Sequence, residues 1–287
     1  MLAIDQLTVA YPGQNRPALN RLRLAIDGSA CILGPSGAGK STLLKTLMGL
    51  VPAIQGTLAM DGISLVNRPL RARARMAYIP QENSLPREST LGEYLMELTR
   101  LDHFPSQRQG QAVKEILELV HLSPAAHKRM KWLSGGMKRR ALIAGALLRN
   151  TSWLLMDEPT LGLDPDEQAS IRSLIRNLCR HRHVILATQF VEDAAAISHR
   201  IIILQGGQVV AETHWQALAD MAYGHLFMRP AQEAAQSPTL FWAPMAGGDQ
   251  VRAFTAEPPP EWTHPLQPSV EDGYLWLIKT GGVVARE

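Results

Sequence analysis

Unbroken runs of four to six apolar residues alternate along this chain with segments whose apolar residues recur every three or four positions, which predicts buried strands and amphipathic helices in turn. Residues 2 to 10 and 22 to 26 alternate in strand fashion around a polar loop, Tyr11-Pro12-Gly13-Gln14-Asn15-Arg16-Pro17, and predict an antiparallel pair. Ala30-Cys31-Ile32-Leu33 reads as a buried strand. Ser41 to Leu50 carries Leu43, Leu44, Leu47 and Leu50 at helical spacing. Gly56 to Met60, closed by the Asp61-Gly62 turn, and Met76 to Ile79, ending at Pro80-Gln81, are further strands. Before the second of these, Arg71, Arg73 and Arg75 alternate with alanine and predict one solvated face.

From about residue 82 to 150 the period is helical. Thr90-Leu91-Gly92-Glu93 is a capping box opening a helix to about Leu101. Ser106 is placed to cap a second helix, on which Val113, Ile116, Leu117 and Val120 share a face. Leu133-Ser134-Gly135-Gly136 then precedes a long apolar helix from Met137 to Leu148. Strands resume at Trp153 to Met156 and His183 to Thr188, separated by a helix that Asp164 caps with Pro165 in its first position. Ile201 to Leu204 and Gln208 to Ala211 flank Gly206-Gly207 as a hairpin. This order predicts an α/β fold with a β-rich N-terminal subdomain and a helical insert. Beyond residue 220 prolines at 230, 238, 244, 258, 259, 260, 265 and 268 mark linkers around a strand at Val251 to Ala256. There Ser269 and Asp272 form a second capping box, with Val270, Tyr274 and Leu277 on one helix face.

Composition narrows the picture little. A hydrophobic content of 46% over 287 residues supports a packed core and excludes disorder throughout. A net charge of +3 suits a nucleotide or an anionic membrane surface and is too small to argue for nucleic acid. Cys31 and Cys179 stand far apart in core-like segments, as reduced cytosolic thiols do. His181, His183, His199 and His214 have no metal-ligand spacing and read as surface or capping residues. Met1 to Gln6 lacks a basic leader and an apolar core region, and no run approaches the ~18 apolar residues of a membrane helix, so the chain is expected not to cross a membrane itself.

The chemistry concentrates in Gly34-Pro35-Ser36-Gly37-Ala38-Gly39-Lys40-Ser41-Thr42, which fits the phosphate-loop pattern of Gly, four residues, Gly-Lys-Ser/Thr, and stands between a strand and a helix. Glycines let the backbone turn its N–H groups toward phosphate oxygens, and the helix start adds roughly half a positive charge. Lys40 is the cation for the outer phosphates, and the Ser41 hydroxyl is a ligand for Mg²⁺. The strand at 153 to 156 delivers Asp157 and Glu158 at its C-terminal end, where open α/β sheets bind ligands. Asp157 suits Mg²⁺, and Glu158 can orient or deprotonate a water. Tyr11 either stacks on an adenine ring or packs at a strand end. Ser134, Gly135 and Gly136 make either an ordinary cap or a second anion site.

Taken in this order, residues 1 to 220 resemble the nucleotide-binding subunit of ATP-binding-cassette (ABC) transporters. Gly34 to Thr42 resembles the family's Walker A loop, Gln81 its Q-loop, Leu133 to Gly136 its signature motif, Trp153 to Glu158 its Walker B strand and Leu163-Asp164 its D-loop. The resemblance implies ATP and Mg²⁺ as ligands, with Tyr11 on the adenine, Ser41, Gln81 and Asp157 around the metal, and Glu158, Gln81 and Gln189 at the hydrolytic centre. It implies a head-to-tail dimer, of two copies or with a second ABC subunit, in which Ser134, Gly135 and Gly136 grip the partner's nucleotide and Asp164 makes a dimer contact. A separate membrane-spanning permease and a place on the cytoplasmic face of the membrane follow from it. Gln189 departs from the family's usual His, and Met137 from its commoner Gln. Leu-Ser-Gly-Gly-Met before basic residues, and the helix at 269, are similar to the drug-resistance and antibiotic exporter branch. Residues 221 to 287 are expected to be a linker and a small accessory region. A soluble cassette ATPase outside transport, and a regulatory subunit with weak hydrolysis, are the alternatives.

Overall fold

The apolar runs Ala30–Leu33, Trp153–Met156, 184–187 and 201–204 become strands buried on both faces, because helices or a second sheet cover either side. The computed structural model describes residues 1–287 apart from 67–69, 71–72, 83, 198, 235–239, 246–248, 259–261, 263–264 and 282–287. Its strands are β1 (Leu2–Val9), β2 (Leu19–Ile26), β3 (Ala30–Leu33), β4 (Gln55–Met60), β5 (Ile63–Ser64), β6 (Met76–Ile79), β7 (Trp153–Asp157), β8 (His183–Thr188), β9 (Ile201–Gln205), β10 (Gln208–Thr213), β11 (Leu226–Pro230), β12 (Phe241–Pro244) and β13 (Gln250–Phe254). The longer helices are α1 (Lys40–Leu47), α2 (Leu91–Leu101), α3 (Ser106–Leu119), α4 (Gly135–Leu148), α5 (Pro165–Leu178), α6 (Trp215–Asp220) and α7 (Val270–Thr280).

Among the described residues these strands make three sheets. The central one has the order β10-β9-β3-β8-β7-β6, parallel from β9 to β6 with β10 folded back antiparallel at one edge. Along β3, Cys31 and Leu33 enter the core beneath α4 and α5, while Ala30 and Ile32 enter the core shared with β1, β2, β4 and α1. Residues Leu154 and Met156 of β7 likewise face one core, and Trp153 and Leu155 the other. The sheet β2-β1-β4-β5 is the second layer. Helices α2, α3 and α4 form the helical insert between β6 and β7.

The tail builds its own antiparallel sheet, β11-β13-β12, whose Phe241 and Phe254 stack at 4.2 Å between ring centres and pack with Trp276 of α7. Helix α7 joins this sheet to the rest. Its Val270, Tyr274, Leu277 and Ile278 belong to the main core, and Gln205 Nε2 donates to Ile278 O at 2.9 Å.

Several sequence expectations change in detail. Helix α1 ends at Leu47, so Leu50 lies beyond it and is exposed. Ser106 is the first residue of α3 and its side chain caps nothing, the preceding position being Pro105. Helix α4 starts at Gly135, two residues before the apolar run, because Ser134 accepts from Met137 N and sets the start there. Of the arginine run, Arg71 lies outside the described residues. Arg73 does not lie on a solvated face: it donates to Met48 O at 2.7 Å and Gly49 O at 2.8 Å, satisfying carbonyls just past the end of α1. Pro238, Pro259 and Pro260 lie outside the described residues, and Pro230 and Pro244 end strands rather than linkers.

Candidate functional site

Parallel strands leave their C-terminal ends open for ligands, and here β3 and β7 end at the same edge of the sheet with β8 between them. The turn after β3 runs into α1 through Gly39, whose φ of 104° and neighbour Ala18 O, 2.6 Å from where a Cβ would stand, admit only glycine. This loop, together with the loop after β1, walls a cavity of about 530 Å³. Tyr11, Ser36, Gly37, Ala38, Gly39, Lys40, Ser41, Thr42, Gln81, Glu158 and Gln189 all line it. Tyr11 OH and Thr42 Oγ1 are 3.3 Å apart, which ties the aromatic to the start of α1.

Gly34 and Pro35 serve through their backbone. Their carbonyls accept from Lys40 Nζ at 2.8 and 3.1 Å, curling the lysine back under its own loop. Lys40 also pairs with Glu158 Oε1 at 3.1 Å, and both side chains are nearly inaccessible, 5% and 7% exposed. A buried pair of this kind is costly to leave half made, so each charge holds the other in place until a ligand supplies an alternative.

Glu158 has φ of 46°, the left-handed region that a residue with a side chain enters only when its surroundings compel it. Those surroundings are explicit: Glu158 N donates to Ala187 O at 2.8 Å, and Gln189 N donates to Glu158 Oε2 at 3.1 Å. Next to it, Asp157 accepts from Ser41 Oγ at 2.9 Å and from Tyr78 OH at 3.0 Å. Burial, and then the Asp157 charge, push the Tyr78 phenol well above its ordinary range, so it is a fixed donor at neutral pH.

Four contributors escaped the sequence reading. Arg16 and Gln14, in the loop after β1, line the cavity, and the position of Arg16 in the same polar loop as Tyr11 was the available signal. Arg139 of α4 is buried and donates to Pro80 O at 2.6 Å, Gln81 O at 2.7 Å and Glu158 O at 3.3 Å, so one guanidinium holds both loops. Burial lowers its pKa from the ordinary arginine value. Asp193, fully buried, accepts from Thr160 Oγ1 at 2.5 Å, Thr188 Oγ1 at 2.7 Å and Arg172 Nε at 2.8 Å, and so ties the end of β8 to the segment after β7.

Ser134, Gly135, Gly136 and Asp164 do not line this cavity. Ser134 caps α4 and Asp164 caps α5, accepting from Glu167 N at 2.9 Å. Ser134, Gly136 and Asp164 are gathered instead around Glu167. Among the described residues no group of three or more His, Cys, Asp and Glu side chains could hold a metal ion.

A family model described as ABC transporter matches residues 21–161, and a second, described as an AAA domain, matches residues 129–220. The chain is 32% identical over 226 residues to the Nod factor export ATP-binding protein I of Rhizobium meliloti (strain 1021), covering 78% of this chain and 68% of that one. It is 31% identical over 235 residues to the uncharacterized ABC transporter ATP-binding protein YxlF of Bacillus subtilis (strain 168), covering 81% and 77%. The fold is similar to the ATP-binding cassette MJ0796, solved as a dimer in a post-hydrolysis state bound to ADP and Pi, with a TM-score of 0.68 and 26% identity over 75% of this chain and 98% of that one.

Proposed function

The chain belongs to the ABC transporter family as an ATP-binding and ATP-hydrolysing subunit, and we propose that it drives export by closing and reopening a head-to-tail dimer around ATP. Residues 1–220 are the cassette and 221–287 its accessory region. The observation that carries this reading is the buried contact of Lys40 with Glu158 at 3.1 Å on the wall of a cavity lined by the phosphate loop. It brings the cation suited to the outer phosphates against the carboxylate suited to take a proton from water. When ATP enters, Lys40 exchanges Glu158 for the γ-phosphate, and Glu158 is released to act as general base. Tyr11 stacks on the adenine, the backbone of Gly34 to Thr42 cradles the phosphates, and Gln81 and Gln189 position the attacking water.

The residues also fit Mg²⁺. Ser41 Oγ and Asp157 Oδ1 lie 2.9 Å apart, and Gln81 lines the same cavity, an all-oxygen set that would hold the ion. Bound there, it would neutralise charge on the outer phosphates.

Ser134, Gly135 and Gly136 stand outside the cavity of their own subunit. They therefore serve the partner's nucleotide, with Asp164 at the dimer contact, in a homodimer or with a second ABC subunit. No described helix is long and apolar enough to cross a membrane. A separate permease, contacted by the helical insert from about residue 82 to 150, supplies the path, and the cassette works at the cytoplasmic face of the membrane. Export is supported by relatives named for Nod factor export.

Glu158→Gln tests this. Steady-state turnover should fall on the order of a hundredfold or more while ATP binding persists, and sizing in ATP should show a dimer. Undiminished turnover would remove Glu158 from the chemistry, and a strictly monomeric variant in saturating ATP would remove the sandwich.

A further inference from the structure

At the start of α4 the donors assigned to a partner's phosphate are already taken. Ser134 Oγ donates to Glu167 Oε1 at 3.0 Å, and Gly136 N donates to Glu167 Oε2 at 3.0 Å. The same hydroxyl accepts from Met137 N at 3.2 Å, so its own hydrogen is committed to Glu167. The carboxylate lies flat on the helix start: a Cβ on residue 136 would stand 2.3 Å from Glu167 Cδ, so only glycine permits the contact. Ser134 and Gly135 are exposed while Gly136 is covered. An anion with two oxygens thus sits on the positive end of a 14-residue helix, and it is supplied by α5 of the same chain.

We propose that Glu167 is an internal stand-in for the terminal phosphate, occupying the α4 seat in the open subunit and leaving it when a partner's ATP docks. The inference rests on the reading of Ser134 and Gly136 as contacts made in trans. A carboxylate and a phosphoryl group ask for the same donors, and one hydroxyl hydrogen and one backbone N–H each serve a single strong bond at a time. Two anions at hydrogen-bond distance from the same donors also repel. Closure and the Glu167 contact therefore exclude each other. Because ADP brings no third phosphate to the seat, Glu167 keeps it, and the contact raises the ATP concentration at which the dimer closes. Glu167 N is bonded to Asp164 Oδ1 at 2.9 Å, so the backbone stays capped and only the side chain has to leave the seat.

The test uses the full chain carrying Glu158→Gln, with Glu167→Gln or Glu167→Ala added, and follows dimerisation by sedimentation velocity as ATP is titrated. A charge-assisted bond is about twice as strong as a neutral one, so the half-maximal ATP concentration should fall at least about fivefold in both double variants. ADP should dimerise none of them at concentrations where ATP dimerises all. Glu167→Gln keeps the shape of the side chain and carries the test if the Ala variant folds poorly, which a thermal melt without nucleotide reports. An unchanged or higher ATP requirement in Glu167→Gln overturns the proposal and makes Glu167 an aligner of Ser134 instead. Absence of dimer in the Glu158→Gln parent at any ATP concentration would instead sink the trans reading, and the latch with it.

Discussion

Gln189 shows how much of this site is set by single side chains. Its backbone N–H holds Glu158 Oε2 at 3.1 Å, and the residue lines the cavity in which the proposed function puts the γ-phosphate. An amide donates a hydrogen bond but carries no charge and exchanges no proton near neutral pH. If Glu158 alone is the base, Gln189→Ala keeps the backbone bond and loses only the side-chain donor, and turnover at saturating Mg-ATP should drop by up to about a hundredfold. Gln189→His should match or modestly exceed the native rate. Equal rates in all three proteins would take the side chain out of the chemistry. Cys31 makes a different residue-scale prediction. Burial first, then the Asp193 and Glu158 charges, push its thiol well above the ordinary thiol value. A neutral-when-protonated group raised in this way gives stability that is complete below the unfolded value and is lost as pH climbs toward the folded one. Denaturant midpoints should therefore fall as pH rises above about 8.5, less so in Cys31→Ala after subtracting its cavity cost. A fall of the same size in that variant would show that other groups set the alkaline limit. In the native protein Cys31 should resist thiol reagents until unfolding exposes it.

At the scale of elements, helix starts carry much of the specificity. The box between Ser269 and Asp272 opens α7, and the same Asp272 Oδ1 accepts from Arg252 of β13 at 2.6 Å, so a local cap doubles as the bolt between helix and tail sheet. One turn on, Gly273 packs against α6 so closely that a Cβ would lie 1.7 Å from Leu218 O. That atom is backbone and cannot step aside. Gly273→Ala should lift α7 off α6 and destabilise the protein by about 2 kcal/mol or more, within the range of overpacked cores, read as a lowered denaturant midpoint. An unchanged midpoint would mean that α7 shifts freely along the cassette. This box and the one between Thr90 and Glu93 at the start of α2, which also forms, were legible in the sequence because a cap is four residues of local chemistry. The central strands were legible because Ala30 to Leu33, Trp153 to Met156 and Val184 to Thr188 are buried on both sides and cannot alternate. β11 and β12 were not. Each is four or five residues long, each ends in proline, and each exists only through pairing with β13. In the site, Lys40, Ser41, Asp157 and Glu158 were readable because ligand chemistry dictates their residue types. Arg139 and Asp193 were not, because Pro80 and Gln81 in the one case and Thr160 and Arg172 in the other lie far away in sequence and meet them only in the fold.

At the scale of the molecule, the central sheet separates two cores, and the tail is joined to the one that also underlies α4 and α5. Leu277, 1% exposed, enters that core, while Trp276, 2% exposed, one residue earlier, faces the tail sheet and stacks on His225 at 4.4 Å. One helix therefore closes two hydrophobic clusters. Each side chain so buried is worth about 1.5–3 kcal/mol before the entropy of ordering the tail is subtracted. The return runs both ways, since Leu218 and Trp215 on the cassette side lose their cover if α7 leaves. Ending the chain after residue 225 should consequently lower the melting temperature by several degrees and increase binding of an apolar dye, although every phosphate-loop residue remains. The complementary measurement is limited proteolysis of the full chain: a cut between β11 and β12 should leave the two fragments associated through gel filtration, because β13 and α7 stay docked. Fragments that separate at once, together with a truncated chain as stable as the full one, would show that the accessory region hangs from the cassette without supporting it.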